Sequence, residues 1–155
     1  MRIVDVVTPE RVRRLSEVSS RKRLLEQVAN MLASAKPALT AGEILDALRS
    51  RERLGSTAVG GGAAIPRARI AGLDTPLGAF VQLATGLDYG TGESDAAWVD
   101  RVFALIVPEN TPDDVRHFVD TLGINLAAPR AAAELRSAID DTALYAVLRT
   151  LDDDT

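Results

Sequence analysis

The sequence predicts a single α/β domain, a sheet sandwiched between helices, and three observations predict it. Apolar residues recur at helical spacing in both halves of the chain, and two central runs carry strand signatures. No linker, internal repeat or low-complexity stretch divides the 155 residues. A chain of this length buries roughly 70% of its unfolded surface, enough for one core without disulfide or metal staples.

From Ser20 onward, Leu24, Leu25, Val28, Met31 and Leu32 fall at three- and four-residue spacing, so an amphipathic helix is expected there until Pro37. Thr40 and Glu43 fit a capping box, Ile44, Leu45 and Leu48 supply the apolar face of a second helix, and Gly55 is its stop. Residues 55–66 are small and glycine-rich and read as loop with short extended structure. Leu77, Ala79, Val81 and Leu83 alternate with Gly78, Phe80 and Gln82, a strand pattern. Residues 102–107 are almost continuously apolar and read as a central strand covered on both faces.

Residues 85–96 are expected to form a surface connection, a hairpin with a long, partner-facing loop. Thr111-Pro112-Asp113-Asp114 marks a helix start, with a cap, a first-turn proline and two acids at the positive end of the dipole. Val115, Phe118, Val119, Leu122 and Leu126 continue that helix. Two further helical pieces are expected, one over 130–139 and one capped by Asp141 that carries Leu144, Val147 and Leu151. Residues 152–155 read as a frayed acidic tail.

Composition excludes several function classes. The net charge is −4 and the pI is about 5.0, with arginines and acids interspersed, so nucleic-acid binding is not expected. The chain has no cysteine and one histidine, which argues against disulfides and metal sites. No apolar run approaches the roughly 20 residues that a membrane-spanning helix needs, and the N-terminal residues lack a signal-peptide core. No membrane insertion and a cytoplasmic location are expected. Arg49, Arg51 and Arg53 form a small basic cluster, read as a solvated helix end where cations suit the dipole.

The glycine-rich segment is the main candidate site. Clustered glycines let backbone amides cradle an anion, or they form a tight turn without ligand. Gly60, Gly61 and Gly62 are followed by Ala63-Ala64-Ile65, which lacks the third glycine of a dinucleotide fingerprint, and there is no P-loop lysine. No cofactor is expected, and a nucleotide-dependent kinase or hydrolase is disfavoured.

The order of residues is more specific than the glycine count. Arg51-Glu-Arg-Leu-Gly-Ser-Thr-Ala-Val-Gly-Gly-Gly-Ala-Ala-Ile-Pro66 resembles the active-site signature of phosphotransferase-system enzyme IIA proteins of the fructose, mannitol and nitrogen-regulatory type. In that family the pattern is Arg-Glu-x-x-Gly-Ser-Thr, then glycines, then Ala-Ile-Pro-His. Ala79-Phe-Val-Gln-Leu83 and Trp98-Val-Asp-Arg-Val-Phe-Ala-Leu-Ile-Val-Pro-Glu109 resemble its two main strands, in the expected order. The resemblance implies one enzyme IIA-like domain over 1–155, with a core over about 20–148. It also implies a mixed sheet of about five strands, flanked by helices on both faces.

In the family the final histidine of that pattern accepts a phosphoryl group from a carrier protein, and here the residue after Pro66 is Arg67. A neutral imidazole is a nucleophile near neutral pH, whereas a guanidinium stays protonated and instead binds carboxylate or phosphate. The resemblance sets Arg51 as the arginine that helps hold the phosphoryl group, and Ser56 and Thr57 as the polar start of the loop. With Arg67 beside Arg51, an anion or an acid such as Asp100, or one from 85–96, is expected between them. The family often carries a second active-site histidine, which an ungapped count from Leu126 sets at Val115. The chain's sole histidine, His117, lies opposite the apolar stripe of its helix and reads as solvated.

The resemblance therefore implies a regulator rather than an enzyme, one that binds a protein such as a transporter, sensor kinase or phosphocarrier. Two alternatives stay open. One is a receptor for a small anion or phospho-ligand built from Arg51, Ser56, Thr57, Gly60, Gly61, Gly62 and Arg67. The other is a phosphocarrier that uses His117.

Overall fold

A computed structural model describes residues 1–90, 98–111 and 114–153. The elements in chain order are α1 (Ile3–Val6), β1 (Val12–Leu15), α2 (Arg21–Ala33), α3 (Ala41–Arg53), β2 (Ala58–Gly60), β3 (Ala63–Ala64), β4 (Arg67–Ile70), β5 (Leu77–Asp88), β6 (Trp98–Pro108), α4 (Asp114–Ala127), α5 (Pro129–Ser137) and α6 (Asp141–Thr150). Short 3-10 turns cover Pro9–Arg11 and Leu151–Asp153.

The apolar run of 102–107 is central, as its composition requires. β6 pairs antiparallel with β5, with Phe80 opposite Phe103 and Val81 opposite Val102. Its other edge takes β3 and β4, both parallel. β1 adds parallel to β5, and β2 folds back antiparallel on β3. The sheet is mixed, with six strands rather than the expected five. The outer strand β1 has only four residues, with Val12 alone buried, too short for its alternation to stand out.

Period-two alternation sorts the sheet's side chains onto two cores. Phe80, Phe103, Leu105 and Val107 pack with Phe118, Leu122, Leu135 and Leu144 of the three C-terminal helices. Ala79, Val81, Leu83, Val102, Ala104 and Ile106 pack with Leu24, Val28, Leu32, Ile44 and Leu48 of α2 and α3. The sheet is thus covered by helices on both faces.

Several boundaries differ from the sequence reading. Residues 85–88 continue β5 instead of starting a surface connection, because Leu87 packs into the α2–α3 core and Gly86 lies beneath the Trp98 indole. A Cβ at Gly86 would fall 2.5 Å from the indole nitrogen. The remainder of the expected loop, 91–97, lies outside the described residues. So do Pro112 and Asp113 of the predicted start of α4.

The Thr40 half of the predicted capping box forms: Thr40 accepts the Glu43 amide at 3.1 Å, while the Glu43 carboxylate accepts the Thr40 hydroxyl at 3.2 Å instead of its amide. Ser20 caps α2, accepting the Arg23 amide at 3.1 Å, and each cap contributes about 1 kcal/mol. The cap of α6 is Asp140, which accepts the Ala143 amide at 2.7 Å. Asp141, the expected cap, instead accepts the Arg14 amide at 2.8 Å and ties β1 to the helix.

Packing also extends beyond 20–148. Ile3, Val6, Val12 and Leu151 are buried, and the Asp152 carboxylate accepts the Ile3 amide at 2.6 Å. The first acid of the expected frayed tail is therefore anchored.

Candidate functional site

The signature begins at the end of α3, where consecutive residues take opposite directions. Glu52 is buried and accepts from the Thr57 amide at 3.2 Å, from the Thr57 hydroxyl and from the Tyr89 hydroxyl at 2.7 Å. Arg21 adds a cation 3.8 Å away. Burial, and secondly the adjacent Glu52 carboxylate, push the Tyr89 phenol above its ordinary pKa, because both disfavour a second negative charge. Thr57, buried in this network, holds the loop to the helix.

Ser56 turns the other way. It is exposed, its hydroxyl accepts the Ala58 amide at 3.2 Å, and it lines a cavity with Lys22, Arg49 and Arg53.

The three glycines form the turn between β2 and β3, with φ of +94°, +62° and +91° at Gly60, Gly61 and Gly62. That left-handed region strains any residue with a Cβ. At Gly61 a Cβ would also fall 2.5 Å from the Ala127 carbonyl oxygen, so α4 closes directly on the turn. The Gly62 carbonyl accepts the Asp100 and Arg101 amides, and the Gly61 carbonyl accepts the Arg101 guanidinium. Turn geometry and close packing account for these glycines.

Arg67 opens β4, opposite Leu105 of β6. It is half-buried, its Nη1 donates to the Ile65 carbonyl at 2.9 Å, and it shares a cavity of about 630 Å³ with Arg51. Arg51 Nη1 donates to the Gly55 carbonyl at 2.8 Å. Burial, and secondly the Arg51 cation, push the Arg67 guanidinium below its ordinary pKa. The acids that oppose this are Glu52 and Asp120. Among the described residues, neither Arg51 nor Arg67 lies within ion-pair distance of a carboxylate.

Asp100 does not stand between the two arginines. It pairs with Arg136 at 2.6 Å and with the fully buried Arg101 at 3.1 Å, because β6 carries it towards α5. Of the acids in 85–96, Asp88 lines the Ser56 cavity. Gly60, Gly61 and Gly62 are not among the residues lining the Arg51–Arg67 cavity.

The family model described as "Phosphoenolpyruvate-dependent sugar phosphotransferase system, EIIA 2" matches residues 5–150. The chain belongs to this family. It is similar to a nitrogen regulatory protein of Pseudomonas aeruginosa, 34% identical over 148 residues, which are 96% of this chain and 95% of that one. The nitrogen regulatory protein of Escherichia coli is 31% identical over 150 residues, covering 96% and 90%. The crystal structure of nitrogen regulatory protein IIA-Ntr from Neisseria meningitidis matches with a TM-score of 0.83 at 28% identity, over 94% of this chain and 98% of that one. Mannitol IIA of Escherichia coli, at a TM-score of 0.71 and 14% identity over 92% and 98%, shares the fold.

Within this EIIA domain, Val115 of α4 lines the cavity of Arg51 and Arg67. His117 is exposed and lines a separate cleft with Met1, Arg2 and Asp152. The structure therefore brings Arg51, Arg67 and Val115 together, and leaves Ser56, the glycines and His117 elsewhere. Sequence reasoning missed Asp120, one helical turn beyond Arg116, and the buried Glu52–Tyr89 contact. Glu52 stands in the signature itself, but Tyr89 is 37 residues away, and nothing local predicts that they meet.

Proposed function

We propose that this EIIA domain is a regulator that carries no phosphoryl group at the family's acceptor position and acts in the cytoplasm by binding a protein partner, such as a transporter, sensor kinase or phosphocarrier. One observation carries the reading. The residue after the Ala-Ile-Pro motif, at the first position of β4, is a guanidinium facing the cavity of the motif arginine Arg51. A guanidinium offers no nucleophilic lone pair at neutral pH, so the phosphoryl group has no acceptor there. The scaffold around it is intact, and likeness to nitrogen regulatory proteins supports a regulatory rather than a sugar-transport role.

Incubation with phosphorylated carrier protein, read by intact mass, tests this. The parent chain remains unlabelled, and Arg67→His gains about one phosphoryl group. Stoichiometric labelling of the parent overturns the reading.

A second reading, anion binding, is favoured by two cations in one cavity that form no ion pair among the described residues. Like charges held together repel, and an anion between them relieves that repulsion.

A further inference from the structure

The cavity between α3, β4 and α4 has two chemically distinct parts. Among the described residues, four guanidinium side chains line it, those of Arg51, Arg67, Arg69 and Arg116, against one lining carboxylate, Asp120. Three of the four use hydrogen bonds only on backbone carbonyls: Arg51 on Gly55, Arg67 on Ile65, and Arg69 on Glu109 and Thr111. Each guanidinium has five N–H donors in a planar fork, so most of that capacity is unused by the described residues. Among the described residues, none of the four forms an ion pair.

The rest of the lining is hydrocarbon. Leu105 and Val107 come from β6, Val115 and Val119 from α4, and Leu54 follows α3 with its side chain mostly exposed. At about 630 Å³ the space lies within the range of small-molecule sites. Inorganic phosphate would use the cations and leave Leu54 wetted. A ligand with an apolar body uses both.

We infer that this cavity binds a small organic anion, a carboxylate or phosphomonoester joined to an apolar body. The head group sits on Arg51 and Arg67, and the body lies against Leu54, Val115 and Val119. The inference rests on the reading that Arg67 occupies the acceptor position without its chemistry. It extends the anion-binding reading by assigning the ligand an apolar half and by placing Arg69 and Arg116, instead of the glycine turn, beside it.

Amide NMR titration tests it with four probes: phenyl phosphate, phenylacetate, inorganic phosphate and benzyl alcohol. At least one of the two aromatic anions binds about tenfold more tightly than both inorganic phosphate and benzyl alcohol. The shifted amides cluster at 67–69, 105, 115 and 119. The comparison of phenyl phosphate with phenylacetate shows which head group the arginines prefer. Arg67→Gln weakens binding about tenfold, and Arg116→Ser, at an exposed position where substitutions change stability by only about 0.5 kcal/mol, weakens it about threefold. Failure of both aromatic anions to bind more tightly than inorganic phosphate overturns the inference, as does a lack of saturation or a shift pattern centred on Ser56 and Lys22. Carrier labelling of the parent chain would defeat the reading of Arg67 and leave these titrations standing. A failed titration leaves the labelling result untouched.

Discussion

Arg51 and Glu52 are neighbours in α3 and in the signature, yet their surroundings are opposite. Around Glu52 the polar groups close on one another: an amide, two hydroxyls and a guanidinium surround one buried carboxylate. Around Arg51 and Arg67 the charges are left open, with backbone carbonyls as their hydrogen-bond partners. A buried carboxylate is tolerated only when its lone pairs are satisfied, whereas a half-exposed guanidinium keeps water as an alternative partner. The same short motif therefore does two jobs. Glu52 and Thr57 shape the loop, and Arg51 and Arg67 line the cavity beside it.

The strongest test of that contrast is Glu52→Ala. It strands the Thr57 amide in the interior and leaves the Thr57 and Tyr89 hydroxyls, 3.0 Å apart, only each other as partners, and should destabilise the fold by about 3 kcal/mol in urea unfolding. A loss below about 1 kcal/mol would mean that the network is not the anchor described.

Tyr89→Phe sharpens the comparison and adds a pH dependence. The folded state holds a phenolic proton that the unfolded chain releases near pH 10. The stabilisation is complete below that pH and is lost as pH rises above it, by up to about 1.4 kcal/mol per unit. The variant should cost about 1 kcal/mol at neutral pH and show a shallower alkaline decline. Identical alkaline slopes for the two proteins would contradict a protonated, buried phenol.

The smallest effect belongs to the open side. Arg51→Gln removes one of two facing cations and no carboxylate partner, so the unfolding free energy should stay within about 0.5 kcal/mol of the parent. A loss of more than about 1 kcal/mol would place Arg51 in the structural half of the motif.

What could be read from the sequence followed from how local its causes are. The 102–107 run identified itself because both of its faces are covered, and the cap at Thr40 needs only a residue three positions away. β1 did not, since Arg13 and Arg14 follow its single buried valine. Between adjacent acids, the choice of Asp140 over Asp141 as cap depends on a distant strand amide that Asp141 takes. In the site, the motif order pointed to Arg51 and Arg67. Arg69, Arg116 and Asp120 join them only because β4 and α4 meet across the sheet's edge. The glycines were legible as a turn but not as a surface against which α4 packs.

The register of β4 has a consequence for position 67 itself. The Leu105 amide donates to the Pro66 carbonyl at 2.9 Å, and the ladder runs on from Arg67 opposite Leu105 to Ile70 opposite Pro108. These bonds belong to the backbone, so the side chain at 67 takes no part in setting its own location. The position works as a socket: whatever residue is fitted there is presented to the same chamber, and one side chain can be exchanged without rebuilding the walls.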